Sequence, residues 1–336
     1  MGRVSTEPAP TPARSAGAAT VLARSRGELA VALADAPDPR AVVMTMGALH
    51  EGHFDLVREA ARRIGPAGTV VVTIFVNPLQ FAPTEDLDSY PRDLEGDLAG
   101  LTRTLTGVDG ALGVGRLVVF APTPEVIYPA GQPAVRIDPG PIATVLEGRT
   151  RPTHFAGVCQ VVLILMHLTA PRWALFGRKD AQQLAIIESM VRDLAVPLEI
   201  VPVDIRRESD GLAMSSRNAY LSPEQRRQAL ALSRALQAGR DAAAQAAGSG
   251  TRLDPAAIRR AALASLDAAD GVEIDYVALV DPAGFEDLTD AGLGLPRRAP
   301  VHEDAGEGLP AVGLLAVAAR VGTTRLIDNT LIDLHP

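Results

Sequence analysis

The sequence predicts a doubly wound α/β domain on a parallel sheet, followed by a smaller α+β domain. Three observations carry that reading. Runs rich in β-branched residues at 41–46, 69–76, 117–120, 173–176 and 198–203 are apolar rather than alternating, as in strands covered on both faces. Segments with helical spacing of apolar positions separate them, and strands alternating with helices imply right-handed crossovers. Near Asp204 the alternation stops, and two alanine-rich helices and a few strands follow. The 336 residues suit two such units, divided here into a tail at 1–20, a first domain at 21–205 and a second at 206–336.

In chain order, residues 1–20 are rich in Pro, Ala, Thr and Ser and lack the apolar core of a signal peptide, so they read as a mobile tail. Gly2 with Thr6 fits a myristoylation pattern, which is discounted because no polybasic patch or second lipid signal accompanies it. Gly27 to Ala34 reads as a short helix ended by Pro37 and Pro39. Ala41 to Met46 reads as a buried strand, and Phe54, Leu56, Val57, Ala60, Ala61 and Ile64 lie at helical spacing. Between them Gly47 and Gly52 bracket a link holding His50 and His53. Strand, glycine turn and helix start in that order make an anion site, because the first helical N–H groups are unpaired and the helix dipole favours negative charge.

The strand ending at Val76 runs into Asn77-Pro78-Leu79-Gln80-Phe81 and an acidic stretch closing at Tyr90-Pro91-Arg92. The strand ending at Phe176 runs into Gly177-Arg178-Lys179-Asp180, with Gln182 and Gln183 opening the next helix. Ligands of open α/β sheets bind beyond the carboxyl ends of strands, so three polar strand ends in one sheet argue for a site. Helical patterns cover Arg92 to Leu105, Val158 to Leu168 and Ala181 to Leu194. Beyond Asp204, Glu208 to Asn218 forms a polar loop with Ser215, Ser216 and Arg217. Ser222 then caps a helix with Pro223 at its first position. Strands are expected at Glu273 to Val280, Leu314 to Val321 and Thr324 to Ile327, and a long variable loop at 291–310.

Composition excludes several classes. With 40 acidic against 32 basic residues the net charge is −8, which argues against a general nucleic-acid-binding surface. The longest apolar run, Val158 to Ala170, is interrupted by Gln160 and His167 and is too short to span a bilayer. Cys159 is the single cysteine, so no intrachain disulfide forms; a reducing, cytoplasmic setting is expected, with Cys159 read as core. Zinc is disfavoured, because the histidines stand three apart with no cysteine or third histidine nearby. Neither a P-loop nor a G-x-G-x-x-G dinucleotide motif is present in the link.

The blocks TMGALHEGH, IFVNPLQF, SYPRD, EGRTRPTHFAGV, FGRKDAQQ and DGLAMSSRNAYLSPEQ, with AVAARVGTTRLIDN near the end, resemble in order and spacing the pantothenate synthetases, or pantoate:beta-alanine ligases. That resemblance implies a Rossmann-like nucleotidyltransferase joining pantoate to beta-alanine through a pantoyl adenylate, with ATP as substrate, Mg2+ as companion ion, and a homodimer as the assembly. It implies that His50 and His53 contact the phosphates, with His53 in a proton-donating role, and that Lys179, Ser215, Ser216 and Arg217 neutralise the triphosphate. Met46, Gly47, Gly52, Gly177, Asp180, Arg206 and Met214 would seat the nucleotide. Gln80 and Gln183 would grip pantoate, with Asn77 and Tyr90 beside them, and Asp97 is nominated for the metal. The small second domain would act as a lid over the adenylate, a mixed anhydride that water destroys.

Four positions depart from the family pattern: Met44 for proline, Arg178 for glutamate, Ala181 for tyrosine, and Arg206 for a small apolar residue. Two other readings stand beside the ligase. One is an adenylyl- or cytidylyltransferase acting on another small acid, which leaves Gln80 and Gln183 unexplained as a pair. The other is a non-catalytic nucleotide-binding relative.

Overall fold

The computed structural model describes residues 20–81, 87, 90–107, 113–249, 253–289 and 310–335. The expected tail, except Thr20, and the expected loop at 291–310, except Pro310, lie outside them.

Six strands form one parallel sheet in the order β1-β4-β3-β2-β5-β6: β1 (Thr20–Ala23), β2 (Arg40–Thr45), β3 (Thr69–Ile74), β4 (Arg116–Phe120), β5 (Trp173–Gly177) and β6 (Glu199–Val203). The helices between them are α1 (Arg26–Ala34), α2 (Glu51–Ile64), α3 (Leu94–Leu105), the single turns α4 (Pro124–Ile127) and α5 (Glu147–Thr150), α6 (His154–Thr169) and α7 (Ala181–Asp193). Successive side chains of a strand point to opposite faces, and the core follows that period. Val42, Val71, Val118 and Ala174 pack with α1, α6 and α7 on one face. Ala41, Val43, Val70, Val72 and Leu175 pack with α2 and α3 on the other. Cys159 is fully buried in the first layer, and burial pushes its thiol up to about 12.

Strand β1 is a departure from the expected tail boundary. Its four residues pair with β4 at the sheet edge, too short a run to register as a period. Helix α6 starts a turn before the expected Val158, at His154. The strand expected to reach Val76 ends at Ile74, and a short 3-10 turn over Pro78–Gln80 follows, capped by Asn77.

The second unit holds α8 (Pro223–Gly248) and α9 (Pro255–Asp267) over an antiparallel sheet of β7 (Val272–Val280), β8 (Val312–Val321) and β9 (Thr324–Asp333). Helix α8 begins with the expected Ser222 cap, here a full capping box with Gln225. Strand β9 runs six residues past the expected Ile327, because its hairpin pairing with β8 continues in register from Val321↔Thr324 to Val312↔Asp333. One face of this sheet packs under α8 and α9 through Val277, Leu279, Leu315 and Val317. The other face, with Tyr276, Ala278, Leu314 and Ala316, meets Val145, Leu146 and Ala185 of the first domain. The two units are thus joined by an apolar layer. An ion-pair cluster adds to it: Arg325 donates to both Glu147 oxygens at 2.7 Å and to Asp275 at 2.6 Å, and the Tyr276 hydroxyl donates to Glu147 at 2.8 Å.

Candidate active site

The strand order locates the site before any side chain is considered. From β2 the chain builds outward through β3 and β4, then returns to lay β5 on the other side of β2. The carboxyl ends of β2 and β5 therefore flank a topological switch point, where open α/β sheets bind ligands. The histidine link leaves one of these ends and the Lys179 turn leaves the other.

The link is held in a conformation that few residues accept. Gly47 sits at φ +92°, and a Cβ there would stand 3.2 Å from Ile74 and 3.3 Å from the Asp97 carboxylate. Asp97, 3% exposed, accepts the N–H groups of Ala48 and Leu49 at 3.1 and 2.7 Å. The residue nominated for the metal thus braces the loop with both oxygens. Among the described residues no group of three or more His, Cys, Asp and Glu could hold a metal ion.

His50 is the N-cap of α2, and its Nδ1 accepts the Gly52 N–H at 3.2 Å. His53 returns the contact, its Nδ1 accepting the His50 N–H at 3.4 Å, which completes a capping box made of two imidazoles with ring centroids 4.1 Å apart. Gly52 packs closely here, since a Cβ would lie 3.0 Å from the His50 ring and push on it. Burial, then the neighbouring His50 and Lys179, pushes His53 down to about 3. Burial and then Lys179 lower His50 as well. Both rings are therefore neutral at pH 7. With each Nδ1 used as an acceptor, each Nε2 carries the hydrogen and is a hydrogen-bond donor. On this geometry the neutral His53 ring offers a hydrogen-bond donor at Nε2.

Lys179 approaches Asp180 at 3.5 Å. Burial favours the neutral Asp180 acid, but Lys179 and Arg217 outweigh it and hold the carboxyl below its ordinary range. Lys179, Asp180, Gln183, Ser215 and Arg217 line one cavity of about 540 Å3 between the two units. Ser215 caps the 3-10 turn Ser216–Tyr220, accepting the Arg217 N–H at 3.3 Å. The Met214 N–H closes on the Arg206 carbonyl at 2.9 Å, while the Arg206 guanidinium reaches Asp55 at 3.4 Å. Arg178 pairs with Asp204 at 3.2 Å, and Ala181 lines the cavity.

One expected substrate contact, Asn77, is placed otherwise. Asn77 is fully buried, donating to the Gly157 carbonyl at 3.0 Å and accepting from Tyr128 at 2.9 Å and Leu79 at 3.3 Å. An amide so engaged anchors the Gln80 turn rather than facing a ligand. Tyr90 packs edge-on against Phe81 at 6.0 Å; like His50, His53, Gln80 and Ser216, it is not among the residues that line the 540 Å3 cavity. Gln80 is 8% exposed, and its carbonyl is fastened by Arg151 at 3.2 Å and His154 at 3.1 Å.

Several residues with evident work were given no role from sequence. Arg151 and His154 hold Gln80. Gln182 donates to the carbonyls of Ile142 and Val145 and accepts from the Glu147 N–H. Asp328 and Asn329 grip two loops of the site. Arg151, His154, Gln182, Asp328 and Asn329 all lie inside the quoted sequence blocks, so a charged or amide residue in a block without an assigned ligand was the available signal.

The family model described as pantoate-beta-alanine ligase matches residues 23–331. The pantothenate synthetase of Nocardioides sp. is 49% identical, over 93% of this chain and 85% of that protein. That of Streptomyces coelicolor is 46% identical, over 94% and 96%. Among solved structures, the pantothenate synthetase of Thermus thermophilus is 40% identical with a TM-score of 0.77, covering 94% of this chain and all of that one. The pantoate-beta-alanine ligase of Francisella tularensis, complexed with beta-gamma ATP and beta-alanine, is 28% identical with a TM-score of 0.66, over 93% and 98%.

Proposed function

The chain belongs to the pantoate-beta-alanine ligase family, and we propose that it holds its three substrates in the crevice beyond β2 and β5. The enzyme condenses pantoate with beta-alanine at the expense of ATP, through a pantoyl adenylate, releasing pyrophosphate and then AMP. In the first step the pantoate carboxylate attacks the α-phosphorus and the bond to pyrophosphate breaks. A carboxylate is already ionised at pH 7, so this step needs no general base. What the protein supplies is alignment and stabilisation of charge growing on phosphate oxygens.

The neutral Nε2–H groups of His50 and His53, at the positive end of the α2 dipole, fill that role at one wall. Lys179, Ser215, Ser216 and Arg217 fill it at the other, with Met46, Gly47, Gly52, Gly177, Asp180, Arg206 and Met214 seating the nucleotide. Gln80 and Gln183 hold pantoate through amides that can both donate and accept. In the second step the neutral amine of beta-alanine attacks the acyl carbon, the C–N bond forms, and AMP leaves with the electron pair of the broken C–O bond. The second unit, 206–336, covers the adenylate against water.

Mg2+ belongs to this reading as the companion of the triphosphate, which such ions usually meet through phosphate oxygens and water with one or two carboxylates. The Asp97 carboxylate is occupied by the loop N–H groups of Ala48 and Leu49. A homodimer in the cytoplasm completes the reading. No helix among the described residues is long and apolar enough to cross a membrane, and sedimentation equilibrium reads the assembly.

The observation that carries the assignment is the imidazole capping box at the switch point, electrostatically coupled to Lys179 and Asp180 across it. The test omits beta-alanine. With pantoate and ATP alone, pyrophosphate is released in a burst of one equivalent per site and AMP appears only when beta-alanine is added. Pyrophosphate release that requires beta-alanine removes the adenylate from the mechanism. His53→Ala abolishes the burst with the fold retained, and an unchanged rate removes His53 from it.

A further inference from the structure

Of the groups assigned to the triphosphate, Lys179 and Ser215 to Arg217 sit on two short segments outside α2. Lys179 follows β5, and Ser215 to Arg217 follow a turn between Arg207 and Ala213, which pair as an isolated antiparallel bridge. Both are short 3-10 turns, Arg178–Asp180 between β5 and α7 and Ser216–Tyr220 ahead of α8, and they belong to different units, so the distance between them is set by contacts that cross from one unit to the other.

Two consecutive residues of β9 reach the Lys179 segment and the Arg207–Ala213 turn that leads into Ser215. Asp328, 3% exposed, accepts both terminal nitrogens of Arg207 at 2.7 and 3.0 Å, and Arg207 in turn donates to the Gly211 carbonyl at 3.1 Å. Asn329, 7% exposed, donates to the carbonyls of Arg178 and Lys179 at 3.0 and 2.9 Å. The Asn329 N–H also meets the Asp328 carboxylate at 2.8 Å, which joins the two grips through a single peptide unit. Strand β9 is itself fixed, by pairing with β8 along its length and by Arg325 on Glu147.

We infer that β9 is the spacer between the Lys179 segment and the Ser215–Arg217 segment, with Asp328 and Asn329 as positioning residues for adenylate formation. The inference rests on the assignment of those segments to the triphosphate. Its physical basis is that stabilising charge on phosphate oxygens depends on where the donors stand, and a displacement of about 1 Å can cost on the order of 100-fold in rate. The chemistry of each grip is specific. The amide of Asn329 supplies donors that two carbonyl oxygens need, whereas a carboxylate of the same size would repel them. The carboxylate of Asp328 supplies two acceptors that match a guanidinium fork.

The two half-reactions separate positioning from scaffolding. One is pantoate-dependent exchange of labelled pyrophosphate into ATP. The other is conversion of preformed pantoyl adenylate and beta-alanine to pantothenate and AMP, in which no triphosphate takes part. Asn329→Asp and Asp328→Asn are each expected to lower kcat of the exchange by about tenfold or more, while the second half-reaction changes less than about twofold. Thr330→Val is the control. It removes a hydroxyl on the same strand that meets Arg240 and touches neither segment, so it lowers the melting temperature with the ratio of half-reactions unchanged.

Equal losses in both half-reactions, or losses that merely follow the melting temperature as in Thr330→Val, overturn the inference. Lys179→Ala distinguishes the underlying assignment. If exchange survives that change, the triphosphate assignment falls and the spacer with it. If Lys179→Ala abolishes exchange while Asn329→Asp leaves it intact, the spacer alone falls.

Discussion

Replacing Gly157 by alanine sets two opposed effects against each other. Within a helix such an exchange ordinarily stabilises by up to about 1 kcal/mol. In α6, however, the new Cβ would stand 2.2 Å from the Leu79 carbonyl oxygen, 2.5 Å from its carbon and 2.9 Å from the Gln80 nitrogen. All three are main-chain atoms, and none can rotate aside. Because ordinary contact begins at 3.4 Å, the turn carrying Gln80 has to withdraw by about 1 Å. Overpacking of this kind costs about 1–3 kcal/mol, enough to outweigh the helical gain. The withdrawal also pulls on the Asn77 bond to the Gly157 carbonyl and on the Arg151 and His154 bonds to the Gln80 carbonyl. The variant is therefore expected to lose about 1–2 kcal/mol of stability and to raise KM for pantoate on the order of tenfold, with KM for ATP little changed. Urea unfolding and initial rates at varied pantoate read both quantities. A variant at least as stable as the parent, with an unaltered KM for pantoate, would refute the close-approach argument.

Other expectations follow from the same geometry. The His53 ring stays neutral in the fold down to about pH 3, against 6.5 for its ordinary value. The unfolded chain therefore binds the extra proton between those limits, so this contribution is complete above pH 6.5 and shrinks as pH falls towards 3. His50 acts in the same sense, and denaturant midpoints from about pH 7.5 to about 4.5 should fall less steeply in His53→Asn than in the parent. Asp97→Asn leaves one of two loop N–H groups facing an amide donor; a loss of about 1–3 kcal/mol is expected. The Mg2+ concentration for half-maximal rate should stay put, and a clear shift of it would return Asp97 to the metal. Glu147→Gln breaks a pair that is 13% and 16% exposed, but Arg325 keeps Asp275. The expected cost is thus at the lower edge of about 3–5 kcal/mol, read as a fall in melting temperature, and no fall would show the apolar layer alone joins the units.

Periodicity made the parallel sheet legible, because Val42, Val43, Val70, Val71 and Val72 are buried on both faces and leave no polar alternation to mislead. It could not resolve β1, whose four residues owe their extended form to β4 rather than to any local pattern. The histidine link was readable as an anion site from glycine placement and the helix start. Its tautomers were not, since they depend on which N–H each Nδ1 meets. Asn77 shows the converse limit. Its position after a strand suggested a ligand contact, and only the packing of Gly157 and Tyr128 around it reveals an anchor. Asp328 and Asn329 were hidden for a related reason, because their partners lie more than a hundred residues away along the chain.

At the start of α2, one pair of side chains both begins the helix and, in the function proposed above, supplies hydrogens to the phosphates. Asparagine could begin such a helix but would not extend as far, and lysine could extend but would not begin it. Protein engineers seeking a hardier enzyme would therefore find this helix start closed to redesign, since any replacement that improved its folding would surrender its reactivity.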